Sequence, residues 1–445
     1  MNLLLYTFAA ASAGTTILAA VVAFLVLILF LVGILLFTKQ KLAPSGPVQV
    51  TINDNEKITV PSGGSLLSTL GEKKIFLPSA CGGGGTCLQC ECHVDEGGGE
   101  ALPTETPHFT RKELQQGARL ACQVKVKQDM KIRIPEEIFG IKKFKAKVVR
   151  NYNVASFIKE FVVEIPEDME YKAGGYIQIE VPKCTIQFKD MDITAHPEDH
   201  PGEPDKFKME WDKFGLWSLV MKNDEEGVER AYSMASYPAE GREIMLNVRI
   251  ATPPFDRKNN KWMDVNPGVA SSYIFSLKEG DDCVISGPFG EFFINEDSDS
   301  EMIYIGGGAG MAPMRSHLYQ LFHTLKTNRK VSYWYGGRSK RELFYVRYFE
   351  DLAQKFDNFN FYLVLSEPLE EDNWKAKKDI HDQEGDGFVG FVHQALIDNY
   401  LNQHETPEDV EFYFCGPPLM NDAVVKMCDE FGVPKENVRF DDFGG

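Results

Sequence analysis

The sequence predicts a multidomain α+β protein. Four parts are expected: a single N-terminal transmembrane helix, a small mixed sheet around a cysteine loop, an antiparallel β-barrel, and a C-terminal α/β unit with a parallel sheet. Three observations carry this. A charge-free, almost wholly apolar run of 21 residues extends from Ile17 to Phe37. Three cysteines, Cys81, Cys87 and Cys90, fall within ten residues. In the last third of the chain, strand-like and helix-like stretches alternate, which indicates a parallel sheet. The expected boundaries are 1–38, 39–138, 139–290 and 291–445.

At 445 residues the chain has room for about three folded domains. A net charge of −18 argues against nonspecific nucleic-acid binding and favours a solvated body. Nine cysteines in no regular framework point to a reducing compartment. The run from Ile17 to Phe37 is long enough to cross a hydrocarbon core of ~30 Å. A cleaved signal would need a basic start and a shorter apolar core. The first 37 residues carry no Lys or Arg, and the cations come afterwards, at Lys39 and Lys41. The positive-inside bias then places everything C-terminal in the cytoplasm. A charge-free helix offers no ion pathway of its own. Residues Leu42 to Pro47 read as a linker.

In the first soluble part, Val48–Ile52 and Lys57–Val60 alternate like paired strands around the turn Asn53–Glu56. Ser65 is placed to cap a short helix through Leu70. Then comes Cys81-Gly82-Gly83-Gly84-Gly85-Thr86-Cys87-Leu88-Gln89-Cys90, and Cys122 follows 32 residues after Cys90. Three thiolates on a tight loop and one from elsewhere can hold a 2Fe–2S cluster, and glycines let backbone N–H groups approach sulfur. The C-x5-C-x2-C spacing is one residue longer than the plant-type pattern. A structural zinc site would show paired knuckles, but only Cys87 and Cys90 form one. His93 invites a Rieske reading, but the second C-x2-H pair is absent. Cys92 is expected to point inward from a strand as a small buried hydrophobe. Late strands are expected at Gln123–Val126 and Met130–Ile134.

The next part shows strand-like runs at Lys145–Arg150, Phe161–Ile165, Tyr176–Val181, Ile244–Ile250 and Cys283–Ser286, which suggest a barrel. In Arg230-Ala231-Tyr232-Ser233, strand alternation puts Arg230 and Tyr232 on one face. Gly268-Val269-Ala270-Ser271-Ser272 reads as a glycine turn opening a helix, a seat for a pyrophosphate. Residues 183–229 are acidic, contain Trp211 and Trp217, and read as a long excursion between strands.

In the last part the strand Met302–Ile305 runs into Gly306-Gly307-Gly308-Ala309-Gly310-Met311-Ala312-Pro313. Backbone N–H groups and a helix dipole there can receive a dinucleotide phosphate. Glu411–Cys415 is a second buried strand, and Gly416-Pro417 turns it into a helix. Trp334-Tyr335-Gly336-Gly337-Arg338-Ser339-Lys340-Arg341 ends another strand where an adenosine ribose would lie. Its cations suit a 2′-phosphate, or a solvated loop.

The cysteine part resembles a β-grasp ferredoxin, and the two later parts resemble the ferredoxin–NADP reductase superfamily. The second resemblance implies that Arg230 pairs with a phosphate of FAD and Tyr232 packs on the isoalloxazine. It also implies that Ser233 bonds near the flavin N5 and that Ser271 or Ser272 meets the pyrophosphate. It places Cys415 beside the nicotinamide, makes Phe443 the aromatic stacked over the flavin, and gives Asp441 or Asp442 an orienting role. The whole order resembles the F subunits of sodium-translocating NADH:quinone oxidoreductases. That implies NADH oxidation, FAD, one 2Fe–2S cluster on Cys81, Cys87, Cys90 and Cys122, and partner subunits that carry electrons to ubiquinone or menaquinone. It implies a bacterial inner membrane, and NADH rather than NADPH. Two rivals are a soluble reductase of a multicomponent oxygenase, against which the apolar run speaks, and a scaffold without cofactors, against which the four cysteines speak.

Overall fold

The computed structural model describes residues 18, 20–33, 46–79, 81–135, 138, 141–256, 258–259 and 261–442. Phe443 and the ends of the Ile17–Phe37 run lie outside them. Residues 20–33 of that run are helical and exposed, with Leu29 69% and Phe30 64% accessible. Among the described residues no helix is long and apolar enough to cross a membrane.

The chain divides into two compact units, one of Met1–Leu77 with Leu88–Ile138 and one of Pro78–Cys87 with Phe139–Gly445. In the first, the strands are β1 (Pro47–Ile52), β2 (Glu56–Pro61), β3 (Glu91–Glu96), β4 (Ala118–Leu120) and β5 (Met130–Arg133). They form one sheet in the order β2-β1-β5-β3-β4, with β1 and β5 parallel and the rest antiparallel. Alternation buries Val50, Ile52, Val94 and Ile132 on one face, and the helix Leu66–Glu72 buries Leu66 and Leu70. Ser65 caps that helix by accepting from the Ser68 N–H at 3.2 Å.

The expected strand Gln123–Val126 is corrected to a single bridge, Lys125 to Ser65. Val124 and Val126 do point inward, but their backbones bond Leu66, Gly63 and Gly64 in the approach to the helix, not a neighbouring strand.

The second unit holds two large sheets. The first contains β6 (Lys142–Ala155), β7 (Ile158–Glu164), β8 (Tyr176–Val181), β11 (Val228–Ser233), β12 (Glu243–Arg249) and β15 (Asp282–Phe289). Its order is β11-β8-β15-β6-β7-β12, antiparallel throughout. An antiparallel bridge, Met234 to Leu246, joins the end of β11 to β12. A short separate hairpin, β13 (Phe255–Asp256) with β14 (Lys261–Trp262), lies between β12 and β15 in the chain.

The stretch 183–229 is more than a loop. It contains β9 (Cys184–Gln187), a helix Lys208–Phe214 and β10 (Val220–Asn223), and β9 and β10 pair as a ribbon. Phe188, Trp211, Leu216 and Met221 join the core beneath the sheet. Phe188 and Trp211 have charged neighbours in the chain, so the segment reads as surface until it is folded.

The C-terminal sheet contains β16 (Met302–Gly307), β17 (Val331–Gly337), β18 (Phe359–Leu365), β19 (Phe388–Val389), β20 (Glu411–Cys415) and β21 (Val438–Asp441). All its pairings are parallel, in the order β19-β18-β17-β16-β20-β21. β16 and β20 are buried along their whole length, as a central strand with both faces covered requires. Strand order reverses between β16 and β20, and the C-terminal ends of strands at such a reversal form a crevice.

Candidate active site

Ser233 ends β11 and Asp441 ends β21. Ser233 Oγ donates to Asp441 Oδ2 at 2.6 Å. Asp441 also pairs in register with Cys415, the last residue of β20. The structure thus brings Ser233, Cys415 and Asp441 together, and of the two candidate acids it is Asp441 that bonds the serine. Burial lifts the Asp441 carboxyl above its ordinary value, the Ser233 bond opposes this, and neighbouring Asp442 adds to it. Cys415 is fully buried, and that burial holds its thiol protonated.

The glycine turn closes on the same point. Gly306 and Gly307 finish β16, Gly308 takes φ +57, and the helix Met311–Tyr319 begins after Gly310. A Cβ on Gly310 would stand 2.0 Å from the Cys415 carbonyl oxygen. A Cβ on Gly416 would meet Met420 Cε at 2.3 Å, and one on Gly307 would stand 3.4 Å from Pro417 Cδ. At Gly310 the neighbour is backbone, so the space between the two turns there admits hydrogen alone. The helix after the first turn is tied to the segment after β11. Arg315 donates to the Ala235 carbonyl at 2.8 Å and to both Glu240 oxygens, and Ser316 Oγ donates to the Ser236 carbonyl at 2.8 Å. Arg315 is not legible in the sequence as a site residue, because its partners lie about 80 residues earlier.

On β11, Arg230 and Tyr232 are half-buried. Arg230 Nη1 donates to the Glu229 carbonyl at 2.8 Å and fills the space beside Gly82, where a Cβ would stand 2.2 Å from it. Gly268 opens the helix Val269–Ser276 as expected. The Ser271 hydroxyl turns back to the backbone, bonding Ala251 N and Gly268 O. The Ser272 hydroxyl is buried and has no partner among the described residues. An unfilled hydroxyl in a first helical turn fits a bound anion.

Cys81 and Cys87 stand with sulfurs 3.3 Å apart, and Cys87 donates to Cys81. Burial pushes the Cys81 thiol up, but bonds from the Cys87 and Thr86 N–H groups, the Cys87 thiol and the Gly83 N–H outweigh it and bring it down to about 6. A sulfur so served is anionic at neutral pH, as an iron ligand must be. In the first unit, the Ala121 N–H donates to the Cys90 carbonyl at 2.9 Å, so the residue before Cys122 lies against Cys90. Cys122 Sγ accepts from Gln123 Nε2 at 3.3 Å. Among the described residues no three His, Cys, Asp or Glu side chains gather around one metal position. Thiolate sulfur of this kind is the donor that a 2Fe–2S cluster takes. Cys92 is buried in β3, and burial pushes its thiol up to about 12, as suits a packing residue.

A ferredoxin-like sheet, an antiparallel sheet ending in Ser233 and a parallel sheet ending in Cys415 define an iron–sulfur flavoprotein reductase. Comparisons agree. Residues 50–127 match the 2Fe-2S iron-sulfur cluster binding domain, 215–294 the oxidoreductase FAD-binding domain, and 304–426 the oxidoreductase NAD-binding domain. Two solved structures share the fold. A cytochrome P450 reductase, GcoB, from Amycolatopsis has TM-score 0.58 at 21% identity, over 89% of this chain and 98% of its own. The ferredoxin reductase in carbazole 1,9a-dioxygenase has TM-score 0.55 at 22% identity, over 90% of this chain and 99% of its own. The F subunit of the Na(+)-translocating NADH-quinone reductase of Neisseria meningitidis is 50% identical over 96% of this chain and its own full length. That of Haemophilus ducreyi is 52% identical over 96% of this chain and 98% of its own. The chain belongs to the family of F subunits of Na(+)-translocating NADH-quinone reductases.

Proposed function

We propose that this chain is the electron-input subunit of a sodium-translocating NADH:quinone oxidoreductase. It takes electrons from NADH and delivers them singly to partner subunits and thence to ubiquinone or menaquinone. The observation that carries this reading is the junction of Ser233, Asp441 and Cys415 at the crevice of the parallel sheet. It joins the strand assigned to the flavin to the strand assigned to the nicotinamide.

Arg230, Tyr232, Ser271 and Ser272 would hold FAD, and Cys81, Cys87, Cys90 and Cys122 would hold the cluster. When bound, FAD supplies hydride acceptance from NADH and one-electron release, and the cluster carries electrons one at a time. Gly306, Gly307, Gly308 and Gly310 leave main-chain N–H groups open to the nucleotide phosphates. Gly416 and Pro417 turn the chain so that Cys415 closes the nicotinamide end. Phe443 would be the aromatic that covers the flavin. Ser233 and Asp441 hold a proton between them at the reacting edge. Arg315 fixes the nucleotide helix to the flavin segment, so the two reactants meet at a set separation.

The domain reading is 1–38, 39–138, 139–290 and 291–445. The Met234–Leu246 bridge supports closure of the antiparallel sheet into a barrel. The helical, exposed apolar residues 20–33, followed by Lys39 and Lys41, support a single-pass anchor in the bacterial inner membrane with the folded units on the cytoplasmic side. The test is co-expression of the tagged full chain with candidate partner subunits. Sodium-stimulated NADH:quinone activity in the purified membrane complex is the expected result. A chain that purifies alone from membranes and reduces no quinone in any assembly would overturn the reading.

A further inference from the structure

We infer that Glu367 selects against a 2′-phosphate on the adenosine ribose, and so fixes which nicotinamide nucleotide the chain accepts. The inference rests on the nucleotide site proposed above and adds its specificity. With the phosphates at the turn after β16 and the nicotinamide at the end of β20, the adenosine half lies off the ends of β17 and β18. Arg338 is the first residue beyond β17, and Glu367 the second beyond β18. Backbone bonds lock the two together. Ser366 N donates to the Gly337 carbonyl at 2.9 Å, and Glu367 N donates to the Arg338 carbonyl at 2.7 Å. Arg338 Nε donates to Glu367 Oε2 at 2.9 Å, with the side chains 69% and 63% exposed, so a ligand can reach both.

One other cation of the loop, Arg341, is matched in the same way. Arg341 donates to Glu210 at 3.1 Å and to Glu371, and the Lys340 N–H donates to Asp372 Oδ2 at 3.1 Å. The two arginines of a loop that would serve a 2′-phosphate are therefore paired with carboxylates of their own chain. A phosphate entering there must displace Glu367 from Arg338 and then stand beside Glu367, Glu371 and Asp372. Each carboxylate about 6 Å from a dianion in a water-like medium costs on the order of tenfold in affinity. A plain ribose meets no such conflict, because its hydroxyls donate to a carboxylate.

The test uses the FAD-loaded full chain, its Glu367→Gln variant and the Glu367→Gln, Arg338→Ala double variant. The kcat/KM ratio of NADPH to NADH is measured in each, with competition by 2′,5′-ADP and by 5′-AMP. Glu367→Gln is expected to raise the ratio by about tenfold. It should tighten 2′,5′-ADP and not 5′-AMP, and the double variant should lose the gain. An unchanged ratio in a flavin-replete Glu367→Gln overturns the inference, as does equal tightening of both competitors. Failure of NADH to reduce the flavin of the unmodified chain would instead overturn the nucleotide reading itself.

Discussion

Asp441 is a carboxylate whose surroundings disfavour its charge. Burial raises its pKa, and the Ser233 bond opposes that without cancelling it. The folded value lies above the ordinary 3.8, so between the two values the folded chain binds more protons than the unfolded one. Stability from this group is therefore present below 3.8 and lost as pH rises through the folded pKa. Asp441→Asn removes the titration, and its melting temperature should gain on the parent as pH rises from acid to neutral. A constant difference across that range would show that Asp441 is solvated after all. Ser233→Ala should slow flavin reduction by NADH by on the order of 10- to 100-fold, as misplacement of a reacting group does, with FAD still bound. Stopped-flow absorbance reads this directly. Ser233 is legible from its strand motif. The choice of Asp441 over Asp442 is not, because it depends on two strands separated by about 200 residues meeting at their ends.

At the scale of elements, the glycine turn shows what spacing can and cannot tell. Gly310 has φ −62, a value open to any residue, so its backbone does not require glycine. Space does, since a Cβ would overlap the backbone of Cys415. Backbone cannot swing aside as a side chain would, so Gly310→Ala should push the turn from the end of β20 and raise KM for NADH strongly, while flavin content holds. Unaltered NADH kinetics would show that the turn is not the nucleotide seat. The segment 183–229 gives the opposite lesson. Trp211 is fully buried and its indole N–H donates to the Ser156 carbonyl at 2.8 Å. Trp211→Ala should destabilise the chain by about 3–5 kcal/mol. Trp211→Phe, which loses that hydrogen bond and part of the ring volume, should cost about 1–3 kcal/mol. Chemical denaturation followed by flavin fluorescence separates the two, and near-equal midpoints for all three chains would return the segment to the surface. The five strand runs of the antiparallel sheet are readable because they gather Val, Ile, Phe and Tyr, the residues that strands favour. Trp211 and Phe188 are not, because each has charged neighbours in the chain and is sent into a core built by other strands.

Across the whole molecule, the cysteines test whether the redox parts form a sequence. Cys122 is mostly buried in the first unit, and serine differs from it by one atom, so Cys122→Ser should leave the sheet intact. Serine is a poor partner for iron beside thiolates, so iron content and the cluster's spectroscopic signal should fall. The residues assigned to FAD and NADH all belong to the second unit, which has hydrophobic clusters of its own. Flavin should therefore be retained, and NADH should still bleach it at close to the parent rate. Two-electron dyes should still be reduced. Quinone reduction in the assembled complex should fall to background, because single electrons would have no exit from the flavin. Iron analysis, stopped-flow flavin reduction and NADH:quinone turnover on one preparation distinguish these steps. Full quinone turnover in a variant shown to lack iron would mean that the cluster is not on the path. A flavin that no longer bleaches would mean that the two units are not independent in the first step.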